Sequence, residues 1–280
     1  MSKTWFITGA SSGFGRLLTE KLLARGDRVA ATSRNTTALD DLRERYGERL
    51  WTSALDVRDF HAVAQTVDRA FADLGRIDVI ISNAGYGVLG AAEETTDAQL
   101  RDIMDTNLLG SIVLIRSALP HLRRQGGGRI LQVSSEGGQI AYPGFSLYHA
   151  TKWGIEGFVE TVAKEVAPFG IDFVLVEPGP ARTKFGQGIV QPEPIAAYDS
   201  TPAHNTRVAL LGGDWVIIGD PNRMTDAMLA IAEEAKPPLR LALGSTSYQA
   251  IRDALTSRLD ELEAYRTITV STDYPGEELV

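Results

Sequence analysis

The 280-residue sequence predicts an α/β fold: a doubly wound, parallel, seven-stranded sheet with helices on both faces. Three observations point there. Short apolar runs alternate with helix-length amphipathic segments along most of the chain. Most of these runs are nearly continuous Val, Ile, Leu and Phe, the pattern of strands covered on both faces. The first run passes directly into a glycine-rich turn that opens a helix. Right-handed crossovers between parallel strands then wind the sheet in both directions.

Taken in order, the strands are read at Thr4–Thr8, Arg28–Ser33, Leu50–Leu55, Ile77–Ser82, Arg129–Ser134, Ile171–Val176 and Leu239–Leu243. Helical patterns occupy 14–25, 37–46, 59–73, 97–124, 147–168 and 222–235. Residues 184–221 break the rhythm with Pro192, Pro194, Pro202, Pro221 and scattered aromatics and glycines. A stretch this long without a clear period reads as a functional loop, here a substrate lid. Segment 246–264 is helical again, and the polar, acidic tail after it is expected at the surface. No internal repeat or interdomain linker is visible. Residues 1–280 are therefore read as one domain, with the lid at 184–221 and a C-terminal helix and tail at 246–280.

Composition narrows the function. Hydrophobic residues make up 44% and charged residues 23%, which excludes a mainly disordered chain. A net charge of −8 argues against general nucleic-acid binding, which needs clustered Lys and Arg to neutralise phosphates. The absence of cysteine excludes disulfides, thiol catalysis and Cys-ligated zinc. His61, His121, His149 and His204 lack metal-ligand spacing, so no metal is expected. No apolar run reaches the ~18 residues of a membrane span. Glycine enrichment from Gly9 onward leaves no room for the apolar core of a signal peptide. A cytoplasmic protein with no membrane partner is expected. Asn35-Thr36-Thr37 matches a glycosylation sequon and is taken as chance.

The turn reads Thr8-Gly-Ala-Ser-Ser-Gly-Phe-Gly15, between a strand and a helix. Gly9 permits a sharp turn, Gly13 lets a pyrophosphate approach the backbone, and Gly15 lets the helix pack close to the sheet. Phosphates would sit over the helix N-terminus, whose free N–H groups and dipole favour anions, with Ser11 and Ser12 adding hydroxyls. The same residues also match G-x-S-x-G, a hydrolase elbow with Ser11 as nucleophile. That motif normally follows several strands, whereas here a single short strand precedes it. The second strand ends Thr32-Ser33-Arg34-Asn35, where a dinucleotide fold that prefers NAD places an acid for the ribose 2′-hydroxyl. A hydroxyl at Ser33 and a guanidinium at Arg34 suit a 2′-phosphate, so NADP(H) is expected over NAD(H).

Tyr148 and Lys152 lie four apart on a helical segment and share a face. A nearby ammonium stabilises a phenolate and is expected to lower the tyrosine pKa towards the range of acid–base work. Ser135 stands thirteen residues earlier, at the end of a buried-looking strand, where parallel sheets open onto their crevice. It is placed to donate to a carbonyl oxygen. Asn107, in an apolar run of the long helical segment, reads either as a functional amide or as a satisfied helix-kink amide.

With these residues in view, the chain resembles the short-chain dehydrogenase/reductase family, whose members adopt a Rossmann fold. Its glycine motif is matched at 8–15, its N-A-G at Asn83-Ala84-Gly85, its helix asparagine at Asn107 and its serine at Ser135. Its Y-x-x-x-K is matched at Tyr148 and Lys152, and its P-G followed by Thr at Pro178, Gly179 and Thr183. The motifs stand in family order and cover residues 4–183. The resemblance implies that Tyr148 is the general acid or base and that Lys152 bonds the nicotinamide ribose. Ser135 would orient the substrate oxygen, and Asn107 would hold a water of a proton relay. Asp56 would contact the adenine with the Val57 backbone beside it. Asn83, Ala84 and Gly85 would line the cofactor's path, and Thr183 would bond the carboxamide. Departures are Ser82 and Phe14 in place of the usual Asn and Ile, and Pro180 after the P-G pair. The reaction implied is hydride transfer between nicotinamide and a carbonyl or secondary alcohol, in a homo-oligomer whose long helices at 97–124 and 147–168 meet. The pocket is expected between Tyr86, Gly87, the 137–145 loop with Tyr142 and Phe145, and the lid, with Trp215 or Tyr198 closing over it. Two rivals share the fold: a non-catalytic NADP(H) sensor, and an NAD-dependent epimerase or dehydratase.

Overall fold

The computed structural model describes residues 2–274. Seven strands form one parallel sheet in the order β3-β2-β1-β4-β5-β6-β7. They are β1 (Thr4–Thr8), β2 (Arg28–Ser33), β3 (Leu50–Ala54), β4 (Val79–Ser82), β5 (Gly128–Val133), β6 (Ile171–Pro178) and β7 (Arg240–Leu243). The chain steps outward from β1 to β3, then crosses back to place β4 on the other side of β1. Strand order reverses there, and a crevice opens beyond the C-terminal strand ends.

Alternation along each strand feeds two cores. Trp5 and Ile7 of β1 face one layer, where they join Leu18 and Leu22 of α1 (Gly13–Ala24) and Met228 of α8 (Pro221–Ile231). Phe6 faces the other, made by α3 (Phe60–Leu74), α5 (Gly110–Arg124) and α6 (Ser146–Val166). β6 repeats the division, with Val174 and Val176 on the first side and Phe173 and Leu175 on the second. Side chains of a strand point alternately up and down, so a continuous apolar run is what two covered faces require. The remaining helices are α2 (Asp40–Tyr46), α4 (Asp97–Ile103), α7 (Pro202–Gly212), α9 (Ser245–Ala264) and α10 (Arg266–Val270).

The structure differs from the sequence reading in three places. The helix expected over 97–124 is interrupted by a π-helical turn at Met104–Leu109, between α4 and α5. Gly110 permits the close approach that follows it, since a Cβ there would lie 2.7 Å from the Val57 carbonyl. Second, the stretch 184–221 contains α7, opened by Pro202 in its first turn. Only Arg207 is buried on that helix, so it carries no apolar stripe by which to recognise it. Third, several boundaries move: β3 ends at Ala54, β4 begins at Val79, and α8 ends at Ile231. The tail expected at the surface is exposed through Tyr274, and its last residues, 275–280, lie outside the described residues. No helix among the described residues is long and apolar enough to cross a membrane.

Candidate active site

A cleft of about 660 Å³ runs along the C-terminal ends of the central strands. Every catalytic or cofactor-binding residue expected from the sequence lines it except Gly15, Asn35 and Asn107, and of the expected pocket residues Gly87 and Tyr198 do not. One end is built from main chain. Gly9 and Gly13 take positive φ values of 68° and 54°, which only glycine adopts without strain. A Cβ at Gly15 would lie 2.3 Å from the Gly9 carbonyl oxygen, so this glycine is demanded by the turn folding on itself rather than by the helix meeting the sheet. Asn83 braces the same turn: its side-chain amide donates to the Thr8 carbonyl at 2.9 Å and the Gly9 carbonyl at 3.2 Å. Thr8 Oγ1 in return accepts from the Asn83 and Ala84 N–H groups at 3.0 and 3.1 Å. Ser11 and Ser12 are exposed where α1 begins, and Thr183 lies across from Gly13.

At the rim, Arg34 is exposed and makes no ion pair among the described residues. Ser33 differs from expectation, because its hydroxyl donates to the Asn35 carbonyl at 2.8 Å. Asn35 itself caps the next turn, its Oδ1 accepting from Thr37 N–H at 3.0 Å. Asp56 is paired with Arg58 at 2.7 Å, and this guanidinium holds the carboxyl below its ordinary pKa. Arg58 also reaches Asp102 at 3.1 Å. Arg58 was missed in the sequence, although it stands two residues after Asp56.

The other end carries Ser135, Tyr148 and Lys152, the residues expected to form an acid–base set. Ser135 follows β5, and its Oγ accepts from Gly137 N–H at 3.0 Å. Lys152 is buried on α6; its Nζ donates to the Val133 carbonyl at 3.0 Å and lies 5.5 Å from the centre of the Tyr148 ring. Burial pushes the Lys152 pKa down to about 8. Tyr148 departs from expectation. Burial, rather than the neighbouring lysine, dominates its pKa and pushes it up to about 12, against the opposing effect of a hydrogen bond with Ser135. Asn107 sits behind Gly85 and Tyr86, in the π-helical turn. It accepts from Tyr86 N–H at 3.0 Å and donates to the Tyr86 carbonyl at 2.8 Å. The amide is satisfied, as one of its two sequence readings has it, and it braces the Gly85–Tyr86 wall of the cleft.

Around this end stand aromatic and apolar side chains. Phe145 and Phe185 pack edge-on against Tyr148 at ring separations of 6.1 and 5.8 Å. Trp215 reaches the cleft from the 184–221 stretch and meets Tyr142 edge-on at 5.6 Å. Tyr198 does not close over the cleft, because its hydroxyl donates to Glu93 at 2.9 Å on the surface. Gly87 lies beneath Ile189 and Phe185, where a Cβ would come within 3.3 Å of each. His149, the one histidine lining the cleft among the described residues, has both ring nitrogens bonded to main chain, at Tyr142 N–H and the Gly137 carbonyl. It therefore offers no base to Ser11, which removes the geometric support for a hydrolase.

The family model for short chain dehydrogenase matches residues 3–194. The chain is 39% identical to oxidoreductase BOA17 of Botryotinia fuckeliana over 249 residues, 87% of this chain and 89% of that one. A crystal structure of a short-chain dehydrogenase from Streptomyces avermitilis superposes with a TM-score of 0.90 at 40% identity, covering 97% of this chain and 98% of that one. The fold recurs in ElxO with NADP bound, at a TM-score of 0.74 and 23% identity over 89% of this chain and all of that one. It recurs again in a Mycobacterium paratuberculosis short chain dehydrogenase bound to NAD, at a TM-score of 0.75 and 25% identity over 88% of this chain and 98% of that one.

Proposed function

The chain belongs to the short-chain dehydrogenase family, and from that premise we propose that it is an NADP(H)-preferring oxidoreductase of the carbonyl-reductase type, with Tyr148 as general acid and base. The observation that carries this reading is the single cleft, with the glycine turn at one end and Ser135, Tyr148 and Lys152 at the other. A nicotinamide dinucleotide fits the residues present. The first turn of α1 opens into the cleft beside two serine hydroxyls without a hydrogen-bond partner among the described residues, and Gly13 is so open that an added Cβ would meet only Thr183 there, at 3.7 Å. When bound, the nicotinamide supplies the hydride that no side chain can provide.

The chain's own residues supply position and protons. Ser135 and Tyr148 hold the substrate oxygen, and Tyr148 gives it a proton during reduction or removes one during oxidation. A Tyr148 pKa of about 12 keeps the phenol protonated at neutral pH, which suits reduction. Lys152 brings a cation to the ribose side of the same group. Pro178, Gly179 and Thr183 bound the nicotinamide end, and Asp56, Val57 and Asn83-Ala84-Gly85 the path to the adenine. Asn107 stands behind that path as its brace, and its place in a proton relay belongs to the same proposal. Aromatic walls favour a hydrophobic ketone, aldehyde or alcohol.

Preference for NADP(H) rests on Arg34, since Ser33 spends its hydroxyl on Asn35. An exposed guanidinium without an acidic partner is the group a 2′-phosphate would recruit. Equilibrium binding of NADPH against NADH, followed by fluorescence, tests the reading without knowledge of the substrate. Tight NADPH and weak NADH binding is expected. Tighter NADH binding would overturn the preference, and binding of neither would overturn the whole assignment.

A further inference from the structure

Glu136 follows Ser135 directly and is only 3% exposed, yet the acid–base set makes no use of it. A buried carboxyl is costly unless both oxygens find partners. Here one does: Oε1 accepts from the Tyr142 hydroxyl at 3.0 Å, while Oε2 is buried without a hydrogen-bond partner among the described residues. Burial also pushes the carboxyl's pKa up.

Tyr142 is held from its other side as well. Its backbone N–H donates to His149 Nε2 at 2.8 Å, and His149 Nδ1 meets the Gly137 carbonyl at 2.7 Å. An N–H can only donate and a carbonyl can only accept, so the imidazole is neutral with its proton on Nδ1. The lowering of its pKa by burial agrees. Trp215 then packs edge-on against the Tyr142 ring. Glu136, Tyr142 and Trp215 all line the cleft. Tyr142 is thus a preorganised piece of wall, fixed at its hydroxyl, its backbone and its ring.

A phenol has one proton to donate. With that proton committed to Glu136, the Tyr142 oxygen offers only lone pairs to a ligand. We propose that Glu136 is a specificity-determining positioning residue that fixes Tyr142 as a hydrogen-bond acceptor, so that the site selects carbonyl substrates bearing a second group, a hydroxyl or N–H, that donates to this wall. The rest of such a substrate is apolar or aromatic, to match Phe145, Phe185 and Trp215. This rests on the carbonyl-reductase reading and names its substrate class.

The test uses acetophenone, its three monohydroxy isomers and the matching methyl isomers. Their dissociation constants are measured by calorimetry on the full chain with NADP⁺ present, and their NADPH-dependent turnover is measured in parallel. At least one hydroxy isomer should bind about tenfold more tightly than its methyl counterpart, roughly the factor one neutral hydrogen bond supplies. Tyr142→Phe should abolish that ratio. Glu136→Leu should reduce it, because the phenol is then free to donate. Glu136→Gln should restore it, because the amide oxygen can still accept from Tyr142. Variants are compared only where their NADPH affinity matches that of the unsubstituted protein, and Tyr142→Phe keeps the test open if Glu136→Leu does not fold. A ratio unchanged in Tyr142→Phe, equal ratios in Glu136→Leu and Glu136→Gln, or binding of no phenone at millimolar concentration would each overturn the proposal. Turnover without a hydroxyl preference would remove the role of Glu136 and leave the reductase reading. Preference in binding without turnover would do the reverse.

Discussion

The two ends of the cleft are built from different materials. The glycine-turn end is backbone against backbone: Gly9, Gly13 and Gly15 folded on themselves, with Asn83 and Thr8 stitching the turn to the loop after β4. The end around Ser135, Tyr148 and Lys152 is side chain against side chain, and part of it comes from the 184–221 stretch. That stretch meets the body at several points, among them two isolated bridges, Val88 to Val190 and Ala181 to Gly219, and the buried Glu94–Arg207 ion pair. Several of its apolar residues stay in solvent, with Val216 73% and Leu211 59% exposed. The contrast teaches where a fold stores constancy and where it stores choice. Main chain can hold a group that never varies, whereas side chains on connecting segments are where selection can be varied.

The largest effect expected belongs to the chemistry. Tyr148→Phe should lower turnover by ~10²–10⁴-fold, the usual worth of a general acid, while NADPH affinity stays level. Steady-state kinetics beside cofactor titration reads both, and retained turnover would remove Tyr148 from its role.

Next comes the attachment of the 184–221 stretch. The Glu94 and Arg207 side chains are 1% and 9% exposed, and Glu94 also accepts from Ala91 and Ile195 N–H at 2.7 and 3.0 Å. Arg207→Ala would leave that carboxylate buried without its cation, at a cost of about 3–5 kcal/mol. If the two ends are as separate as described, limited proteolysis should open 184–221 while NADPH affinity is unchanged. Simultaneous loss of NADPH binding would erase the distinction.

A smaller effect sharpens the cofactor end. Arg34→Ala should weaken NADPH binding by about 1.5–3 kcal/mol, the range for a charge-assisted hydrogen bond, and leave NADH nearly unchanged. Equal losses for both cofactors would mean that Arg34 does not read the 2′-phosphate.

The smallest effect is in pH. Lys152, with its pKa lowered to about 8 by burial, is charged below that value and neutral above it. The ammonium is the form that favours an anionic cofactor, so NADPH affinity should fall as pH rises through about 8. Tyr148, at about 12, remains protonated across this window and does not contribute. Titrations at pH 7 and pH 9 should differ for the unsubstituted protein and agree for Lys152→Met. A persistent difference in the variant would assign the titration to another group.

Much of this molecule was legible before folding. Strand runs such as Phe6-Ile7 and Phe173–Val176 announce a two-faced parallel sheet, because β geometry alternates side chains whatever surrounds them. The turn at 8–15 and the Tyr148–Lys152 spacing are local, so they could be read by counting. The π-helical turn around Asn107 was hidden, since the residues its side chain bonds, Tyr86 and Thr151, lie 21 and 44 positions away in the sequence. The helix at 202–212 was hidden because its one buried side chain is an arginine whose partner, Glu94, lies over a hundred residues away.

The sequence alone determined the strands, the phosphate-type turn and the spacing of Tyr148 and Lys152, all properties of short stretches with their own steric rules. Tertiary structure alone decided what those groups experience. Burial raises Tyr148 and lowers Lys152 where spacing by itself argued for a lowered tyrosine. Asn35 takes the Ser33 hydroxyl away from the cleft, and Glu136 is brought to Tyr142 beneath the substrate wall. Desolvation and hydrogen-bond partners are set by the neighbours folding supplies, and no local count of residues contains them.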